Sequence, residues 1–319
     1  IPEMVEYSQM AHAETYGYVF ENWRAQFPYK GGETVWTYNS HSPLSDWSII
    51  DWFGQPKVTF YSVKRANEPI HVYANTGYMS WGAGDTLTAE VAAINDKFTP
   101  LEGAKLTARL LDADMKPVLA KTWKTNVPAG GYHSKLNKIS WPIPKGTPAG
   151  FVFLETTLDS SSGEQLSRNV YCLRIAAALA DPKARAAWKA TPTEEVLNTK
   201  GPFLRTQVEK HPTTLHSEIL NIKDQGKQAV VKVRIQNTGN KPAYPVRLTL
   251  TPDANSVLWS DNYFWLKPGE TRIIEGIVRL DMAGIDLLTK TSKVPISDLK
   301  LTVSSWNIPA GKALVAAVR

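Results

Sequence analysis

The chain of 319 residues contains a single cysteine, Cys172. One thiol excludes an intrachain disulfide and any multi-thiol zinc cluster, and its place in the run Asn169 to Leu173 reads as a small buried hydrophobe of a strand. Long apolar runs are missing too: none approaches the roughly 18 residues that cross a membrane as a helix. No secretory signal opens the chain; composition does not fix the compartment, and a secreted or periplasmic location is favoured over a cytoplasmic one. Blocks of basic charge are absent as well. The formal charge is +6, yet the 36 basic residues are scattered among 30 acidic ones. Without a tract that grips phosphates, neither nucleic acid nor membrane is an expected partner. The histidines are dispersed with no ligand spacing, so no metal and no cofactor is expected. His211 and His216, on either side of a Pro-Thr-Thr segment, read as surface residues.

What the chain does have is concentrated between Gly31 and Pro69. The Gly31-Gly32 pair lets the backbone turn sharply, and Glu33 to Tyr38 then carries β-branched and aromatic residues for about one strand length. The loop that follows presents Asn39, His41, Asp46 and Trp47. Polar and aromatic side chains just past a strand are how a (β/α)8 barrel builds its substrate site. A buried domain junction uses the same residue types, and the residues alone leave both readings open. Upstream, Met10, Ala13, Gly17, Phe20 and Trp23 fall at helical spacing, which predicts a helix over Met4 to Gln26 with one buried stripe.

Downstream the pattern changes to short alternating strands separated by Pro and Gly turns. Expected strands are Thr86–Ile94, Lys105–Leu111, Lys121–Thr125, Lys138–Ile143, Gly150–Leu158 and Ser167–Leu173, a spacing that indicates a β-sandwich. An alanine-rich stretch, Ala176 to Ala190, and prolines at 192, 202 and 212 predict a short helix and a linker. A second sandwich follows, with strands near Leu215–Lys223, Gln228–Asn237, Val246–Pro252, Thr271–Leu280 and Asp298–Trp306. Turns at Thr238 to Pro242 and Lys267 to Glu270 separate some of them. Val230, Val231, Val233 and Ile235 against Lys232, Arg234 and Gln236 turn one face inward. Trp81, Trp123 and Trp141 read as core residues, whereas Trp265 is a candidate for an exposed position.

The stretch VWTYNSHSPLSDWSIIDWFGQPKVTFYSVKRANEP resembles the last barrel strand and helix of glycoside hydrolase family 2, on its β-mannosidase and exo-β-D-glucosaminidase branch. There the pattern runs YWxLN, WP, SWSxxDYxGxxK and YxxKRA. Trp36 and Asn39 match the strand-end pair; Trp47, Ser48, Asp51, Gly54 and Lys57 match the middle; Tyr61, Lys64, Arg65 and Ala66 match the closing helix. Ser40 stands where the family carries an aspartate, and Ser42 where it carries a tryptophan. Ser8, Gln9, Ala13, Glu14, Trp23 and Arg24 are similar to the family's seventh barrel helix. Asn95-Asp96, the turn Asp112–Met115, Leu166 to Tyr171, Trp259 to Glu270 and Ser304 to Asn307 resemble elements of its terminal sandwiches.

The resemblance implies a mainly β chain: the end of a (β/α)8 barrel, comprising its last helix, strand and helix, followed by two immunoglobulin-like β-sandwich domains. The expected boundaries are 1–66, 67–178, a linker with a short helix over 179–212, and 213–319. It further implies a retaining exo-acting β-glycosidase, which needs two carboxyl groups roughly 5 Å apart. In the family these glutamates end the fourth and seventh barrel strands, so this chain is expected to begin after both and to carry no catalytic residue. A rival reading takes Glu6-Tyr7 as the nucleophile. Trp36 is then the expected platform under the sugar ring and Asn39 a hydrogen-bonding partner of a hydroxyl, with His41, Asp46 and Trp47 as further substrate-binding candidates. Asp51, Lys57 and Arg65 read as an ion-pair cluster that holds the closing helix. Expected partners are a terminal β-mannoside or β-glucosaminide and an N-terminal remainder bearing the rest of the barrel. The net positive charge offers no attraction to a polycation and favours a neutral mannoside. The alternative is a non-catalytic carbohydrate-binding or scaffold module.

Overall fold

The computed structural model describes residues 2–190, 203–251, 257–280, 299–309 and 314–317. The chain divides into two compact units. Ile1–Tyr7, Glu14–Glu33 and Val63–Gln207 make up the first, and Ser8–Ala13, Thr34–Ser62 and Val208–Arg319 the second. The first 66 residues are thus shared out between the two units.

Helix α1 spans Pro2–Arg24, two residues earlier at each end than the spacing suggests. Met10, Ala13 and Phe20 form its buried stripe. Trp23 does not continue it: the indole is exposed, with the Lys30 ammonium 4.6 Å from its ring centroid. The buried stripe ends instead at Phe20 and the adjacent Glu21, a residue that hydropathy alone assigns to solvent. Helix α2, Val58–Ala66, closes the following loop.

The first unit holds two sheets. One is built on β1 (Ile70–Asn75) and β3 (Thr86–Asn95), with β6 (Tyr132–His133) and β7 (Asn137–Pro142) also pairing β3. The other runs β2 (Ser80–Trp81), β9 (Gln165–Ile175), β8 (Gly150–Asp159), β4 (Leu101–Leu111), β5 (Pro117–Val127). Val72, Leu87 and Val91 of the first sheet meet Leu106, Leu154 and Leu173 of the second in one core. Strand β8 lies inside its sheet and is buried at every position but its two ends. Every strand expected between Thr86 and Leu173 is present; the two-residue pieces β2 and β6, and β1, carry too little alternation to stand out. Trp81 is fully buried, Trp123 and Trp141 pack against the same core, and Cys172 is buried within β9. The turn after β4 is closed by Asp112, whose Oδ1 accepts from the N–H groups of Asp114 and Lys116. A 3-10 turn, Ala177–Ala180, and α3, Pro182–Ala190, complete the expected helical stretch. Trp188 of α3 is buried against Tyr78, and Lys189 pairs with Asp85 at 2.9 Å. The remainder of the expected linker, from 191 to 202, lies outside the described residues, and α4 (Phe203–Val208) follows.

The second unit also holds two sheets: β10 (Leu215–Asp224), β11 (Gln228–Asn237), β15 (Thr271–Arg279), β13 (Val257–Trp259), and β14 (Phe264–Leu266), β12 (Ala243–Thr251), β16 (Lys300–Ser304), β17 (Leu314–Ala317). On β11 the inward residues are Ala229, Val231, Val233 and Ile235; Val230 belongs to the outer face with Lys232 and Arg234, as period two requires. Trp265 is buried, not exposed. His216 is exposed and His211 partly so. Two asparagines in the motif-like segments act as backbone surrogates. Asn262 exchanges both hydrogen bonds with the main chain of Leu248, at 2.9 and 3.0 Å. Asn307 donates to the carbonyls of His211 and Pro242. Buried backbone groups must find partners, so these residues serve the fold and not chemistry.

Candidate functional site

The segment expected to be a strand, Glu33 to Tyr38, is not one. A strand needs a neighbour that takes its backbone groups in sequence, and among the described residues only the far limb of the same loop does so. Thr37 and Tyr38 carbonyls accept from the Ile49 and Ile50 N–H groups at 3.2 and 3.0 Å, and Ser40 N–H donates to Ile50 at 3.0 Å. Single bridges pair Asn39 with Ile50 and Ile50 with Pro56. Residues 37–57 therefore fold back on themselves in three short passes.

A polar hub sits inside this knot. Asp46 Oδ1 accepts from Ser40 Oγ at 2.9 Å, Ser48 Oγ at 2.6 Å, the Ser48 N–H at 3.1 Å and Lys57 Nζ at 3.0 Å. Lys57 Nζ also reaches Ser48 Oγ at 2.9 Å. Ser40 and Ser48 are buried, and the Lys57 and Asp46 side chains are 14% and 22% exposed. The hydrogen bond from Ser48, followed by those from Ser40 and Lys57, holds the Asp46 carboxyl well below the usual carboxylate range against the opposing effect of burial. His12 of α1 lies on the same side: its Nδ1 is 3.1 Å from Thr59 Oγ1, and burial, then the Lys57 charge, lowers its pKa. The partner of Lys57 is thus Asp46 and not Asp51. The Asp51 carboxylate instead accepts from the Gln55 N–H at 2.8 Å, closing a turn in which Gly54 takes a left-handed φ of 80°. The expected Asp51–Lys57–Arg65 cluster does not form in this way, because Asp51 is occupied by its own turn.

Around the hub the large side chains point away from the protein. Trp36 is 73% exposed and Trp47 71%. Asn39 and His41 are exposed too, with Asn39 Nδ2 donating to the Ser40 carbonyl at 3.2 Å. The turn at 51–54 adds Trp52 and Phe53, both exposed. Of the five substrate-binding candidates, four stand at the surface; Asp46 alone is turned inward, its Oδ1 engaged by four donors. Sequence reasoning missed the role of Ser40 and Ser48, because hydroxyls this close to a carboxylate give no signal of which will meet it.

The loop is fixed to the second unit's core. Tyr61 is buried as part of the second unit's hydrophobic core and its hydroxyl accepts from the Trp259 N–H at 3.3 Å. Gln55 Oε1 accepts from the Val257 N–H at 3.2 Å. Strand β13 is thereby bonded to the turn, through Gln55, and to the helix, through Tyr61, that close the site loop.

Residues 207–308 match the family model of the exo-β-D-glucosaminidase Ig-fold domain. The exo-β-D-glucosaminidase of Streptomyces avermitilis is 24% identical over 303 residues, covering 90% of this chain and 31% of that protein. The β-mannosidase B of Aspergillus flavus is 34% identical over 77 residues, 23% of this chain. Among solved structures, the exo-chitosanase CsxA of Amycolatopsis orientalis aligns over 97% of this chain and 34% of its own, with a TM-score of 0.69 at 21% identity. A β-D-mannosidase from Dictyoglomus thermophilum gives 0.58 at 18% identity over 94% of this chain. The chain spans about a third of the length of the exo-β-D-glucosaminidase relative.

Proposed function

We propose that this chain, which belongs to the exo-β-D-glucosaminidase and β-mannosidase branch of glycoside hydrolase family 2, supplies one wall of the sugar pocket and the accessory β-sandwiches of a retaining exo-β-glycosidase. The catalytic glutamates belong to the rest of the enzyme. In this reading residues 1–66 are the end of a (β/α)8 barrel, 67–178 and 213–319 are immunoglobulin-like domains, and 179–212 joins them. The observation that carries it is the loop over 34–57: the two most exposed of its three indoles, Trp36 and Trp47, and the Asn39 amide stand at the surface of a loop closed by a polar hub. Exposing apolar surface of this extent is costly unless something covers it, and flat aromatic rings suit the apolar face of a pyranose. Trp36 is the platform under the terminal sugar, Asn39 bonds a hydroxyl, and Trp47 and His41 flank it. By orienting the sugar, such a wall lowers the entropic part of the barrier without touching the bond that breaks.

The substrate is a terminal β-D-glucosaminide, supported by the domain match over residues 207–308 and by relatives that align over most of the chain. A β-mannoside comes second, on the 77-residue match and on the chain's positive charge. The decisive experiment compares 4-nitrophenyl β-D-glucosaminide and β-D-mannoside as substrates of the chain alone and of the chain combined with the barrel-bearing remainder of its enzyme. Turnover is expected only in the combination, and faster with the glucosaminide. Turnover by the chain alone would overturn the reading. The exposed indoles also fit a free-standing carbohydrate-binding module. That second reading is supported instead if the chain alone is retarded in affinity electrophoresis through mannan or chitosan.

A further inference from the structure

We infer that the Ser40–Asp46–Ser48–Lys57 hub is a positioning device, which fixes Trp47 and Asn39 at the surface by clamping the residues beside them, with Asp46 and Lys57 acting through the clamp and not on the sugar. The inference rests on the proposed sugar wall for its purpose, and on geometry alone for its mechanism.

Trp47 packs little of its own surface, at 71% exposed, so its direction has to be set by its backbone. Both neighbours are held. Asp46 is bound through its carboxylate and through its carbonyl, 3.4 Å from Lys57 Nζ, and Ser48 through its N–H and its hydroxyl. Asn39 is in the same position, with Ser40 gripped next to it by Asp46 and by the Ile50 carbonyl. A single carboxylate oxygen thus ties residues 40, 46, 48 and 57, the points where the chain enters the loop, passes the exposed indole and leaves for α2. Charge-assisted hydrogen bonds are about twice as strong as neutral ones, and this pair is largely withdrawn from water, which limits screening. A surface side chain that must meet a ligand in one orientation gains from such a foundation, since the cost of ordering it is met before binding.

The clamp is testable without any sugar. In the chain labelled with 5-fluorotryptophan, the fluorine NMR resonance of Trp47 is identified by its loss in Trp47→Phe. Asp46→Asn and Lys57→Met are expected to shift or broaden that resonance while those of the buried Trp81 and Trp259 keep their positions. The double exchange Asp46→Lys with Lys57→Asp is expected to restore it. An unmoved Trp47 resonance in both single variants overturns the inference. Should either variant also disperse the Trp81 and Trp259 signals, Ser40→Ala decides, because it removes one donor only: a Trp47 shift supports the clamp and none overturns it. In the combined enzyme, Asp46→Asn is expected to raise KM about tenfold with kcat within about twofold, the pattern of lost binding and not of lost chemistry. A moved resonance with an unchanged KM upholds the clamp and sinks the sugar wall, so the two failures remain distinct.

Discussion

Glu21 of α1 and His71 of β1 meet at 2.9 Å between Oε1 and Nε2, with side chains only 5% and 1% exposed. The Tyr171 hydroxyl donates to the other oxygen of the same carboxylate at 2.7 Å, and Asn169 Nδ2 to the first. Burial, reinforced by the Glu21 charge, pushes the Tyr171 hydroxyl far above its usual pKa, so it stays a donor. Helix and sheet of the first unit are joined by this cluster.

Deleting the Glu21 carboxyl leaves its buried partners His71, Asn169 and Tyr171 without their acceptor, at a cost of about 1–3 kcal/mol for each unsatisfied group. Glu21→Ala is expected to destabilise the protein by at least that amount in urea titration. Tyr171→Phe, which deletes one donor, is expected to cost about 1–3 kcal/mol. A variant as stable as the parent would show the cluster to be incidental.

Both carboxyl oxygens of Glu33 are shut off from solvent without a hydrogen-bond partner. Burial pushes its pKa up to about 7, against the pull of Arg24 and Lys30. The folded chain therefore keeps a proton that the unfolded chain releases near 4.5. The resulting stability is fully present below that value and declines as pH rises through about 7. Glu33→Gln is expected to flatten this part of the curve of melting temperature against pH; parallel curves for parent and variant would refute it.

Tyr61 joins the site loop to the second sandwich through one buried ring and one hydroxyl. Tyr61→Phe is expected to lose about 1 kcal/mol and Tyr61→Ala about 3–5 kcal/mol, as for other large aromatic truncations. If the loop depends on this anchor, Tyr61→Ala will also raise proteolytic cleavage within 36–56, with cutting in the first sandwich unchanged.

A Cβ at Gly82 would run directly into the backbone carbonyl group of Leu179. Backbone cannot swing aside as a side-chain tip can, so Gly82→Ala has to displace the 3-10 turn over Ala177–Ala180. Overpacking of this kind costs about 1–3 kcal/mol or more. Calorimetry would report it as a clear drop in melting temperature.

Trp36 separates function from stability. Because its side chain is mostly exposed, Trp36→Ala is expected to change unfolding free energy by less than about 0.5 kcal/mol. In the combined enzyme the same substitution is expected to lower kcat/KM by more than about tenfold, equivalent to some 1.4 kcal/mol of lost transition-state binding. An equal fall in stability would make the residue structural.

The sequence by itself determined most of the strands downstream of Thr86, because alternation of apolar and polar residues with Pro and Gly between them is a local property. Gln228–Asn237 is legible residue by residue, and Val230 misleads only because a valine's hydrophobicity does not state which face it occupies. It also determined which loop carries the indoles and the amide. Tertiary structure decided the rest. Whether Glu33 to Tyr38 is a strand depends on a neighbour. Whether Asp46 faces a sugar or a serine depends on how residues 40, 46, 48 and 57 close on one another. Glu21 looks like a solvent residue until His71, Asn169 and Tyr171, up to 150 positions away, arrive around it. Burial and hydrogen bonding between distant residues are set by the folded path of the chain, and no pattern along the sequence encodes them singly.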